Sequence, residues 1–98
     1  MSENLQSWNS IPITIFTLDG RSEKFIIPKK QKLSKFKSEY KRKNEKKCKY
    51  YIFYYHGKMI RDSATPEELG MEDGDKIYVD GATEAYMREK IWPFFPEI

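Results

Sequence analysis

The run Glu72-Asp73-Gly74-Asp75 sets three carboxylates into a four-residue turn, and the stretch 21–50 supplies the opposite charge. Residues 21–50 hold thirteen Lys/Arg against Glu23, Glu39 and Glu45, while residues 62–89 hold nine Asp/Glu against Lys76 and Arg88. A formal net charge of +3 therefore hides two segments of opposite sign, each able to steer a different kind of partner or simply to keep a face solvated. Covalent chemistry has little to work with. The chain has one histidine, His56, and one cysteine, Cys48, with no third group to orient them as a nucleophile and base. It has no Gly-rich phosphate loop and no set of metal ligands at coordinating spacing. The residue types point to binding, with no enzyme activity, no cofactor and no metal expected.

The elements that position these charges must come from a single modest core, because 98 residues make one domain. Aromatic residues at 15% supply large side chains for it. No apolar run approaches the roughly 20 residues that cross a bilayer, and Met1 to Ser10 lacks a secretory pattern. A lone cysteine gives no internal disulfide and suits a reducing compartment. The expectation is an intracellular protein, nuclear or cytoplasmic, with no membrane contact.

Residues 1–10, with Trp8 the only large apolar side chain, are expected to be a disordered tail. Ile11 to Leu18 is rich in β-branched and aromatic residues and predicts a strand. Asp19-Gly20 turns the chain into a second strand, Arg21 to Ile27, with Phe25 and Ile27 on one face and Lys24 and Ile26 on the other. Pro28 ends that strand or marks a sheet edge. Lys32 to about Lys46 predicts a basic helix with Leu33, Phe36 and Tyr40 as its apolar stripe. Tyr50 to Tyr55 predicts a buried strand, His56-Gly57 a turn, and Met59-Ile60 a short strand. Thr65 to Leu69 is a capped turn stopped by Gly70, with Met71 as an apolar plug, and Lys76 to Val79 is the last strand. The order predicts an α+β roll, a mixed sheet of four or five strands around one helix.

Residues 82–98 form an apolar extension. Thr83 and Glu84 can start a helix that Pro93 ends. Tyr86, Met87, Lys90 and Ile91 would share a side, followed by Trp92, Phe94, Phe95 and Ile98. This segment either packs back over the sheet or groove, or binds another chain. Left exposed, it favours self-association.

Cap, stop, plug, acidic turn and strand, in the order found from Thr65 to Val79, resemble the last third of a ubiquitin fold in the form used by the small ubiquitin-like modifiers (SUMO). Lys32 to Tyr40 resembles the start of the SUMO helix, and Tyr51 to Ile60 the strand, glycine turn and short strand after it. The resemblance spans residues 11–81 and implies a ubiquitin-like β-grasp roll. The 98 residues contain no adjacent glycine pair. Glu84, Ala85 and Tyr86 stand where a conjugation tail needs glycine's freedom. The resemblance is therefore to the SUMO-like domains of NFATC2-interacting/Esc2-type genome-maintenance proteins, which are never conjugated.

That resemblance implies two sites. Gly70, Glu72, Asp73 and Asp75 match the surface that docks on the back of the SUMO-conjugating enzyme, whose basic surface suits clustered carboxylates. His56 stands where a further acidic contact is expected. Phe25, Ile27, Lys35 and Phe36, with Tyr40 and Lys43 at the far end, match the groove that takes a SUMO-interacting peptide as an added strand. The alternatives are a solvated turn at the first site and plain core packing at the second. The basic helix reads as a solvated face, with nucleic-acid binding not expected. As a whole, the chain is expected to be a non-covalent adaptor. Alternatives are a covalent modifier whose di-glycine is missing here, or a scaffold subunit using its C-terminal segment.

Overall fold

The computed structural model describes residues 9–45, 47–93 and 96–98. Trp8 of the expected tail, Lys46 at the expected helix end, and Phe94 and Phe95 of the apolar extension lie outside the described residues. Five strands form one sheet: β1 (Ser10–Thr17), β2 (Ser22–Pro28), β3 (Tyr50–Tyr55), β4 (Lys58–Met59) and β5 (Lys76–Ala82). Their spatial order is β2-β1-β5-β3-β4, with β1 and β5 parallel and the other pairs antiparallel. The one long helix among the described residues, α1 (Leu33–Lys43), crosses one face of this sheet. An α+β roll with a mixed five-stranded sheet and one helix is the architecture expected.

Period-two alternation assigns the faces. Ile11, Ile13 and Ile15 of β1, Ile27 of β2, Phe53 and Tyr55 of β3, and Ile77 and Val79 of β5 are all buried on the helix side. Leu33, Phe36 and Tyr40 meet them at helical spacing. Phe36 packs edge-on against Phe25 at 5.1 Å and Phe53 at 5.4 Å, and Tyr40 does the same against Tyr51 at 5.4 Å. α1 has no side-chain cap at its N-terminus. Instead the Leu33 and Ser34 amides donate to the carbonyls of Ala64 and Asp62, so the loop after β4 satisfies orphan donors and fixes the helix start.

Several element boundaries differ from the sequence expectation. Ser10 belongs to β1, paired with Pro28, rather than to a tail. Pro28 is the last residue of β2, which is an edge strand, so its missing N–H costs the sheet nothing on its outer side. α1 stops at Lys43, because the Asn44 side chain and amide both bond back to the Tyr40 carbonyl and close the last turn. β4 is Lys58–Met59, one residue earlier than expected. β5 runs to Ala82, three residues beyond Val79, because Tyr50, Tyr51 and Ile52 continue the ladder alongside it.

The C-terminal segment folds back over the sheet. Thr83 accepts the Tyr86 amide at 3.1 Å and caps a short helix, α2 (Glu84–Tyr86), which continues as a π turn over Met87–Ile91. Met87 and Ile91 join Ile52, Met59 and Ala82 in a second buried cluster on the face away from α1. Tyr86 and Lys90, expected on the same side, point to solvent, since the wider π turn brings Met87 and Ile91 inward at a spacing of four. Residues 96–98 then return to the sheet edge. The Ile98 amide donates to the Met59 carbonyl at 2.7 Å, and the Arg61 amide to Ile98 at 2.8 Å. Among the described residues no helix is long and apolar enough to cross a membrane.

Ile91 is 6% exposed, so its truncation to Ala should lower the unfolding free energy by about 2–3 kcal/mol in urea denaturation. A loss below roughly 0.5 kcal/mol, ordinary for a surface substitution, would mean that the segment does not pack there.

Candidate functional site

The acidic turn is built by backbone constraints on both sides. Upstream, the Thr65 hydroxyl accepts the Glu68 amide and the Glu68 carboxylate accepts the Thr65 amide, both at 3.1 Å, a reciprocal capping box. Gly70 ends that turn at φ +69°, a left-handed conformation that side chains resist. Met71 is then driven into the core. Gly74 repeats the left-handed step at φ +83°, and its amide donates to the Pro12 carbonyl at 2.9 Å. The Thr14 amide donates to the Asp75 carbonyl at 3.0 Å, so both ends of the acidic turn are tied to the β1 region.

Its three carboxylates play different parts. Asp75 is half-buried, and its Oδ2 accepts the Glu72 amide at 3.0 Å and the Tyr55 hydroxyl at 2.7 Å. The Glu72 amide and the Tyr55 hydroxyl hold the Asp75 carboxyl below its ordinary pKa. Burial, then the hydrogen bond to Asp75, pushes the Tyr55 phenol up to about 12. Asp75 therefore acts as an internal brace more than as a contact residue. Glu72 and Asp73 are exposed and make no ion pair among the described residues. His56 is brought to the same end of the sheet, at φ +52°, with its ring stacked on Tyr55 at 4.0 Å. Its charge is a smaller influence that also favours ionised Asp75.

The second predicted site, between β2 and α1, is a shallow groove of about 210 Å³. Phe25, Ile27, Lys35 and Phe36 all border it, but Ile27 and Phe36 are themselves buried core residues. Lys35 is exposed, with Glu39 beside it on the same wall. Tyr40 is buried in the core and does not border this groove. Lys43 pairs with Glu23 and lies over the Phe25 ring at 5.3 Å, so its charge is already engaged. β2 is an edge strand, which leaves its outer backbone open for an added strand.

Sequence reasoning missed Tyr55 as the partner of Asp75. Its place at the end of the alternating run Tyr51, Phe53, Tyr55 marks it as inward-facing, but only the β3–β5 register brings its hydroxyl to residue 75. Among the described residues no cluster of three or more His, Cys, Asp and Glu side chains is arranged to hold a metal ion.

A sequence model of the family described as "Ubiquitin-2 like Rad60 SUMO-like" matches residues 11–79, well over half of the chain. A search of curated proteins gives no match. Among solved structures, Caldiarchaeum subterraneum ubiquitin is similar at a TM-score of 0.66 and 22% identity, covering 76% of this chain and 95% of that one. The structural likeness bears on the fold alone.

Linkage through the brace gives a pH signature. Tyr55 has a raised pKa in the folded state, so its stabilisation is fully present below pH 10.0 and lost as pH rises through about 12. Asp75, with a lowered pKa, stabilises above the ordinary value of 3.8 and loses that contribution as pH falls through its folded value. Tyr55→Phe should cost about 1.5–3 kcal/mol at pH 7, as expected for a hydrogen bond to a charged group. It should also make the alkaline loss of stability between pH 10 and about 12 shallower in urea titrations. An unchanged alkaline limb would show that Tyr55 does not brace the turn.

Proposed function

Because the chain belongs to the Rad60 SUMO-like family of ubiquitin-like domains, we propose that it is a non-covalent docking module that binds the SUMO-conjugating enzyme through the acidic turn. The observation that carries this reading is the division of labour among the carboxylates. Asp75 is spent inside the turn, while Glu72 and Asp73 stand outward on a backbone held by Pro12, Thr14 and Tyr55. A preorganised pair of carboxylates meets a basic surface without first having to order a loop.

The segment after β5 supports non-covalent action. Where a modifier needs a thin, side-chain-free thread, Thr83 to Ile91 is a capped helical segment with Met87 and Ile91 buried on the sheet. The role needs no catalytic group. The domain acts as an adaptor in the nucleus or cytoplasm, wherever the conjugating enzyme works. The groove between β2 and α1 supports a second reading, an added strand from a SUMO-interacting peptide, because the outer backbone of β2 is open and Lys35 lies beside it.

Titrating the SUMO-conjugating enzyme into isotope-labelled protein should shift the amide signals of Gly70, Glu72 and Asp73. The double substitution Glu72→Lys with Asp73→Lys should weaken binding by about tenfold or more, as expected for losing desolvated charge pairs. Unmoved signals from residues 70–75 at saturating enzyme would overturn the acidic-turn reading.

A further inference from the structure

The sheet face opposite α1 carries an aromatic row that runs across three strands. The register sets Phe16 of β1 beside Tyr78 of β5, and Tyr78 beside Tyr54 of β3. Period-two alternation turns all three outward, because their neighbours Ile15, Ile77, Val79, Phe53 and Tyr55 are buried toward α1. The Phe16 and Tyr78 rings stack at 5.7 Å, and Tyr78 is 46% exposed. Met87 and Ile91 cover Ile52 and Ala82, so the C-terminal segment borders this row and leaves Tyr78 open.

The two sides of the row differ in charge. Two residues before Tyr78 on β5 stands Lys76, exposed, with its ammonium over the Phe16 ring at 5.5 Å. Two residues after Tyr78 stands Asp80, half-buried. Neither makes an ion pair among the described residues. Lys24 joins Lys76 on the same side, across Thr14. The stripe Lys76, Tyr78, Asp80 therefore reads cation, aromatic, anion, and half a turn about its middle exchanges the two charges. Aromatic residues are enriched where proteins meet. Self-complementarity under a two-fold rotation is what an isologous pair requires.

We propose that this face associates with a second copy of the chain about a two-fold axis running along the row of Phe16, Tyr78 and Tyr54. The rotation lays one sheet on the other, with β5 antiparallel to β5 of the second copy. Tyr78 packs on Tyr78 of the second copy, and the two rings supply the central apolar contact. Lys76 of each copy meets Asp80 of the other, so one pair of residues forms two ion pairs. A partner of uniform charge matches only one side of the row, which favours the second copy over an acidic peptide. The contact uses neither the acidic turn nor the β2–α1 groove, and it stands or falls independently of the proposed docking function.

The test uses the full chain, isotope-labelled, across micromolar to millimolar concentrations. Sedimentation equilibrium should show the mass rising from 11.7 kDa toward that of a dimer. The amides of Phe16, Lys76, Tyr78 and Asp80 should shift with concentration. Lys76→Asp and Asp80→Lys should each weaken self-association by about tenfold or more, since each opposes like charges twice. Mixing the two variants should restore it, because one chain then presents only acids and the other only lysines at the two positions. Recovery in the mixture also shows that both variants fold. A chain still monomeric at millimolar concentration would overturn the proposal. So would single variants that associate as the unchanged chain does, a mixture that fails to recover, or concentration-dependent shifts confined to residues 83–92 or 24–28. Shifts at Tyr78 on adding a capped tetraglutamate peptide, with the chain alone monomeric, would assign the face to an acidic partner and overturn it as well.

Discussion

The structure depends on a sheet whose central part is apolar on both faces. Phe53, Tyr55, Ile77 and Val79 face α1, while Ile52, Met59 and Ala82 face the other way. One helix can dry only one of these faces. The other would leave an exposed apolar patch, and Met87 and Ile91 of the C-terminal segment remove it. Burying two such side chains contributes on the order of 1.5–3 kcal/mol each, a sizeable share of the stability of a domain this small. Thr83 at the start and Ile98 at the end hold the segment in place by a cap and two backbone hydrogen bonds.

This closure determines where a partner can bind. With α1 on one face and the C-terminal segment on part of the other, both faces of β3 carry buried side chains, Phe53 and Tyr55 toward α1 and Ile52 toward the segment. The acidic turn lies at one end of the sheet, beyond the C-terminal segment's cover, and is rigid because its amides and Asp75 are bonded to Pro12, Thr14 and Tyr55. The outer face of β1 and β2 stays open to solvent, with Ile26 65% exposed and Phe16 stacked on Tyr78. Charge follows the same division, since α1 carries basic residues while Glu72 and Asp73 stand at the turn.

Local signals made much of this legible in advance. The Thr65 cap, the glycine stop, the Met71 plug and the last strand are neighbours in sequence, and each works through hydrogen bonds or burial within a few residues. Alternation in Phe25 and Ile27, and the 33-36-40 spacing, likewise assign faces without tertiary information. What stayed hidden required knowing which distant residues meet. The Asp75–Tyr55 bond spans twenty residues and arises only from the β3–β5 register. Ile27 and Phe36 lie at the expected groove, yet they are buried there, because the aromatic side chains of α1 and β3 fill the space beneath it. The apolar C-terminal residues were evident, but whether they faced this sheet or another chain depended on the outer face of β3, which alternation alone leaves open.

Closure of the second face can be read most directly from methyl contacts in solution. In a nuclear Overhauser spectrum of the methyl-labelled full chain, the Ile91 and Met87 methyls should show strong cross-peaks to Ile52 and Met59, unchanged on dilution. Absent cross-peaks, together with random-coil shifts over residues 84–91, would contradict a sheet closed on both faces by its own chain.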